Sequence, residues 1–117
     1  MREDISKRGD IVWVSFDPQQ GREQAGHWPA LVLSPYRYNE RGTLLLTCPI
    51  TRQVKGYPWE MKLPDGLGAQ GAVLADQIRA LDYRARTVEF FEQAPWKVTE
   101  EVLSELEPLL GRVHKSF

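Results

Sequence analysis

RGDIVWVSFDP, Arg8 to Pro18, decides the fold class. Its centre, IVWVSF from Ile11 to Phe16, is rich in β-branched and aromatic residues, follows Gly9 and stops at Asp17-Pro18. That composition between turn signals predicts a strand. Beyond it, Asp17 to Trp28 is small or polar, with Gly21 and Gly26 freeing the backbone, which predicts a long loop rather than a tight hairpin. ALVLS, Ala30 to Ser34, lies between Pro29 and Pro35 and predicts a short buried strand. A polar turn at Tyr38 to Gly42 leads into TLLLTCPI, Thr43 to Ile50, a third strand in which Pro49 marks an edge or bulge rather than central ladder.

After a second polar loop, Thr51 to Pro58, the segment WEMKL at Trp59 to Leu63 alternates as a half-exposed strand does. Pro64 to Gly71 carries three glycines and reads as loop. Ala72 to Ala75 and Gln77 to Leu81 predict two short strands or one bent one, and TVEFFEQ, Thr87 to Gln93, predicts the last. Thr99 is placed to cap a helix with Glu100 and Glu101 in its first turn, where carboxylates favour the positive end of the dipole. Val102, Leu103, Leu106, Leu109 and Leu110 give that helix one apolar face, Pro108 should kink or end it, and Gly111 suits its C-terminus. Short strands with Gly/Pro turns favour a mainly β, strongly bent small barrel, with short helices that include a C-terminal one. The expected organisation is a tail at 1–8, one domain at 9–112 and a tail at 113–117.

At 117 residues the chain holds one domain with one substantial core. Fifteen basic residues against 16 acidic ones leave a net charge of -1, so any site for a polyanion has to be a local patch. Cys48 is the only cysteine, which rules out an intramolecular disulfide and points to a reducing, cytoplasmic setting. MREDISKRGD lacks the apolar region of a secretory signal, and no apolar run approaches the ~20 residues of a membrane span. With two histidines, one cysteine and no CxxC or HExxH spacing, the chemistry is expected to need no metal and no cofactor.

Two loops concentrate reactive side chains. PQQGREQAGHWP gathers Arg22, Glu23, Gln24 and His27, and composition alone favours a solvated connection there. TRQVKGYPWE interleaves Thr51, Arg52 and Lys55 with Tyr57 and Trp59. Cations beside aromatic rings suit single-stranded nucleic acid, yet the same residues serve equally as a surface connection.

Five stretches change that balance: RGDIVWVSFDP at Arg8 to Pro18, GREQAGHWPALVLSP at Gly21 to Pro35, PIT at Pro49 to Thr51, KGYPWE at Lys55 to Glu60 and VLADQIRALDYRAR at Val73 to Arg86. In this order they resemble the MazF/PemK-type toxins of bacterial toxin–antitoxin systems, which are sequence-specific endoribonucleases. The resemblance implies a homodimer of SH3-like barrels that cuts single-stranded RNA without metal and is neutralised by a cognate antitoxin. In that chemistry the 2′-hydroxyl attacks the adjacent phosphorus, leaving a 2′,3′-cyclic phosphate and a 5′-hydroxyl. It needs a proton acceptor, a proton donor and hydrogen-bond donors for the charged phosphorane.

Carried over residue by residue, the resemblance makes Thr51 the catalytic threonine, as a donor to phosphoryl oxygens, and Glu23 the candidate for accepting the proton or for fixing the cation that stabilises the phosphorane. Lys55 matches a lysine tied to cleavage or backbone binding, and Gln24, Asn39 and Gln77 fall at positions expected to face bases. Arg52, Arg84 and Arg86 are candidate phosphate contacts. One departure is central: the family carries a catalytic arginine before the proline that opens strand two, and here that residue is Trp28. A neutral indole cannot bind phosphate bidentately, so Arg22, Arg52 or His27 would have to supply the missing charge or proton. The other readings of Trp28 are a weakened enzyme that still binds RNA, and a packing or antitoxin-contact role. A different class of function also follows from the same barrel type: a non-catalytic toxin that binds DNA gyrase.

Overall fold

The computed structural model describes residues 5–15 and 27–111. β1 (Asp10–Ser15), β2 (Trp28–Val32), β3 (Leu44–Thr51), β4 (Glu60–Lys62), β5 (Ala72–Leu74), β6 (Arg79–Asp82) and β7 (Thr87–Gln93) form one antiparallel sheet. α1 (Tyr36–Arg41) joins β2 to β3, and α2 (Trp96–Leu110) follows β7. The strand order is β4-β5-β3-β2-β1-β7, with β6 also paired to β3. β3 is therefore the central strand, and its edge away from β2 is shared: Leu44–Thr47 pair with β6, Ile50 and Thr51 with β5. Between those two partners the chain makes a 3-10 turn at Ala75–Gln77.

That break resolves Pro49. It is not at a sheet edge, since Ala30 of β2 lies opposite it. It sits where neither β5 nor β6 pairs with β3, so the N–H that proline lacks coincides with a gap in the ladder.

Alternation along the strands separates two apolar clusters onto opposite faces of the sheet. Val12, Val14, Ala30, Val32, Leu45 and Leu81 make one, with Trp28, Tyr83 and Val88 packed against it. Ile11, Leu31, Leu33, Cys48, Ile50 and Val73 make the other, covered by Val98, Val102 and Leu106 of α2. Among the described residues the sheet is open, because β4 and β7 are not paired. Side chains bridge that gap instead: the Glu92 carboxylate on β7 accepts hydrogen bonds from the N–H groups of Gly68 (3.1 Å) and Ala69 (2.7 Å) in the β4–β5 loop.

Three local expectations are corrected. Tyr36–Arg41 is a helix where a polar turn was expected. Pro35 ends β2's run in extended geometry, and its carbonyl accepts from the N–H groups of Tyr38 and Asn39. α2 begins at Trp96, with Pro95 and not Thr99 at the cap. Proline's fixed φ prepares the chain for a helix, while Thr99 is buried one turn inside it. Finally, α2 runs past Pro108 to Leu110, and Leu109 and Leu110 are exposed rather than part of the core face.

The segment expected as an N-terminal tail is tied down near its end: Ser6 accepts from the Asn39 amide and Arg8 Nε donates to the Leu33 carbonyl at 2.6 Å. No helix among the described residues is long and apolar enough to cross a membrane.

Candidate functional site

Thr51 is the last residue of β3, half-buried, and its position is held from two sides. Its Oγ1 accepts a hydrogen bond from the Gln53 N–H at 3.0 Å, which turns the chain out of the strand. Behind it, Gly71 (φ 112°) packs so closely that a Cβ there would fall into the Thr51 carbonyl, so only glycine lets the β4–β5 loop reach this point. With one lone pair occupied by Gln53, the hydroxyl still has its hydrogen to donate.

Thr51 and Arg52 form part of the wall of a cavity of about 490 Å³, together with His27, Trp13, Gln70 and Phe91. His27, which precedes β2, lies against Trp13 with ring centroids 4.6 Å apart and planes tilted by 50°. Thus His27, distant in sequence, does come together with the neighbours Thr51 and Arg52. Lys55 is exposed on the β3–β4 loop. Its N–H donates to Glu60 Oε1 at 3.0 Å, and the Gly56 N–H donates to the same oxygen at 2.8 Å. Glu60 was read only as a strand residue, but it fixes the turn that carries Lys55. The sequence signal was the short spacing of a carboxylate after a glycine turn.

Trp28 opens β2, two residues before Ala30, which pairs with Pro49, and it packs against the cluster of Val12, Val14 and Ala30. The indole is half-buried, and the Arg86 guanidinium lies over it, 5.9 Å from the ring centroid. Arg86 was expected only as a phosphate contact, so a cation beside the Trp28 position was missed. It comes from the turn between β6 and β7, far away in sequence.

The remaining candidates separate. Gln77 is exposed at the end of the 3-10 turn, and Arg84 is exposed with its N–H bonded to Asp82 Oδ1 at 3.0 Å. Asn39 does not face a base. It is fully buried; its amide nitrogen donates to the carbonyls of Ser6 (2.8 Å) and Ser34 (3.1 Å), and its oxygen accepts from the Ser34 hydroxyl. Burying an amide requires this satisfaction, and it leaves Asn39 a structural role. Arg22, Glu23 and Gln24 lie outside the described residues. Cys48, beneath the site, has its thiol pushed up to about 12 by burial and, secondarily, by the Asp76 charge, which makes it a poor nucleophile.

Residues 7–110 match the family model of the PemK-like, MazF-like toxins of type II toxin–antitoxin systems. The chain belongs to that family. The endoribonuclease toxin MazF of Escherichia coli strain K12 is 51% identical over 82 residues, covering 70% of this chain and 73% of the relative. The endoribonuclease toxin ChpB of the same strain is 37% identical over 110 residues, 89% of this chain and 93% of the relative. A crystal structure of MazE–MazF from Deinococcus radiodurans superposes with a TM-score of 0.83 at 42% identity, covering 95% of this chain and all of that one. A PemK/MazF-type fold of antiparallel strands with a C-terminal helix is thereby established, and the gyrase-binding alternative is not favoured.

Proposed function

We propose that this member of the family is an endoribonuclease toxin that cuts single-stranded RNA at specific sequences without a metal, and that a cognate antitoxin silences it. The observation that carries this is the meeting of Thr51, Arg52 and His27 at one cavity, in a chain whose relatives are named endoribonucleases. The 2′-oxygen bonds to phosphorus as its proton passes to an acceptor, and the bond to the 5′-oxygen breaks as that oxygen takes a proton. Glu23 is the acceptor and His27 the donor in this scheme. The Thr51 hydroxyl donates to the phosphoryl oxygens as charge builds on them. Lys55, on the turn pinned by Glu60, holds the backbone, while Gln24, Gln77, Arg84 and Arg52 contact bases and phosphates of the flanking nucleotides.

Trp28 leaves a cationic role open, and Arg86 fills it. In support, its guanidinium lies on the indole that stands where the resemblance expects the arginine. Arg22 and Arg52 are the secondary sources of charge. The protein acts as a cytoplasmic homodimer of barrels that Glu92 helps close. Pairing of two copies is supported by an apolar groove of about 630 Å³ lined by Tyr38, Leu46, Ile78 and Leu110, where Leu110 is 71% exposed. An acidic, disordered antitoxin segment that folds onto the basic, ring-lined groove would exclude RNA.

The test is incubation of purified protein with a long single-stranded RNA in excess chelator, beside Thr51→Ala. Specific cuts ending in 2′,3′-cyclic phosphate are expected from the parent and not from the variant. No cuts, or equal cutting by the variant, would overturn the assignment.

A further inference from the structure

The cavity beside Thr51 has an aromatic wall that the phosphoryl chemistry itself does not require. Trp13 of β1 and Phe91 of β7 meet there with centroids 5.6 Å apart and planes tilted by 50°, and His27 extends the row from the other side of Trp13. Phe91 reaches this place through a break in the ladder. Ile11 pairs with Glu92 but Val12 pairs with Phe90, so Phe91 is the extra residue of a β-bulge. A bulge interrupts pairing and re-aims one side chain, and here it turns the ring toward Trp13.

The wall is also held in place. A Cβ on Gly68 would stand 2.7 Å from Phe91 Cζ, so this glycine lets the β4–β5 loop close onto the ring. Glu92, the next residue, clamps the same loop through the N–H groups of Gly68 and Ala69. Both rings remain half-buried rather than enclosed. The exposed Arg52 and Gln70 complete the rim.

We infer that this recess is a stacking subsite for the base of one nucleotide flanking the cleaved phosphodiester, with Phe91 and Trp13 as its platform. The inference rests on the ribonuclease activity proposed above. Its volume of about 490 Å³ falls within the ~300–1,000 Å³ of small-molecule sites. An unstacked base offers a π-face to the rings, while its phosphate lies within reach of Arg52 and the scissile group beside Thr51. The Gln70 amide, with both donor and acceptor, is placed to read the base edge. A duplex cannot enter, because its bases are already stacked on one another.

The experiment starts from a cut mapped on long RNA. Short oligonucleotides spanning it carry a 2′-deoxy sugar at the cut, which blocks cleavage, and an abasic replacement on the 5′ side, the 3′ side or neither. Binding is read by fluorescence anisotropy. One of the two abasic probes should bind the parent protein roughly tenfold more weakly, the scale of a single base–aromatic stack. Phe91→Leu, which keeps apolar volume but removes the ring, should weaken the intact probe by a similar factor and leave that abasic probe unchanged. Trp13→Phe, which keeps a ring in the other half of the platform, should still bind the intact probe more tightly than that abasic one, which separates stacking from folding. Equal losses of Phe91→Leu on intact and abasic probes, or no loss on either, would overturn the subsite while leaving the nuclease standing. Absence of any cut on long RNA would overturn the nuclease, and the subsite with it.

Discussion

Arg86→Gln, made both in the parent chain and in a Trp28→Arg background, tests whether a cation has moved from one strand to another. In the parent, removing the guanidinium 5.9 Å from the indole centroid costs about 0.5–1 kcal/mol of stability through the lost cation–π contact. If Arg86 is the electrostatic donor to the phosphorane, cleavage should fall by about two to three orders of magnitude, the usual cost of one such donor. Trp28→Arg alone puts two guanidinium groups about 6 Å apart, a repulsion of about 3 kcal/mol at an effective dielectric near 20. That variant should therefore be less stable, with a rate at least equal to the parent's. Adding Arg86→Gln should relieve the repulsion, restore much of the stability and leave the rate nearly untouched, because the guanidinium introduced at position 28 now carries the charge. Single-turnover cleavage of an RNA with a mapped site, paired with urea denaturation, reads both quantities. An equal fall in rate in both backgrounds would refute the exchange of roles, since it would make the effect of Arg86 independent of residue 28.

Thr51→Ala should lower cleavage by about 10² or more while barely changing the urea midpoint, since the bond its hydroxyl accepts from the Gln53 N–H lies in an exposed turn. Glu60→Ala should loosen the turn that carries Lys55, raising KM for RNA with a stability loss of about 1 kcal/mol, and Glu60→Gln should recover part of both. Gly71→Ala should shift the Thr51 backbone and abolish cleavage, whereas Gly42→Ala, which meets nothing within 4 Å, should be tolerated; comparing activity and denaturation of the two checks it. The Cys48 thiol is raised from 9.0 to about 12, so the unfolded chain ionises first and folding stability should decline as pH rises above 9.0. Cys48→Ala should flatten that decline, and Cys48 should resist thiol reagents until the protein unfolds.

The strands that were legible in sequence are those whose side chains answer to one strong requirement. β1 and β7 are β-branched or aromatic runs and β3 is a leucine-rich one, all between turn residues, and they formed within a residue or two of expectation. α1 was not legible because six residues carry no helical period; a proline start and the buried amide of Asn39 hold it. The same amide explains the misassigned base contact. Its partners, Ser34 and Ser6, are 5 and 33 residues away, so nothing local announces that it is buried. In the site, Thr51 was legible by resemblance and Arg52 as a cation of the same loop, but what surrounds them depends on contacts between strands. Trp13 and Phe91 were read as ordinary strand residues, although the adjacent phenylalanines of TVEFFEQ already break the period of two that a regular strand keeps.

Thr51 itself shows why the fold and the chemistry are one problem in this chain. It stands where the β3–β5 ladder ends, with Gly71 packed behind and the Gln53 turn in front. A change at any of these neighbours moves the hydroxyl, and proximity effects make a displacement of about 1 Å worth ~10² in rate. Where the resemblance expects an arginine, position 28 holds a neutral indole. A substitution that preserves geometry but removes charge can be offset only by charge from elsewhere. On the reading proposed above, Arg86, whose guanidinium lies over that ring, supplies it.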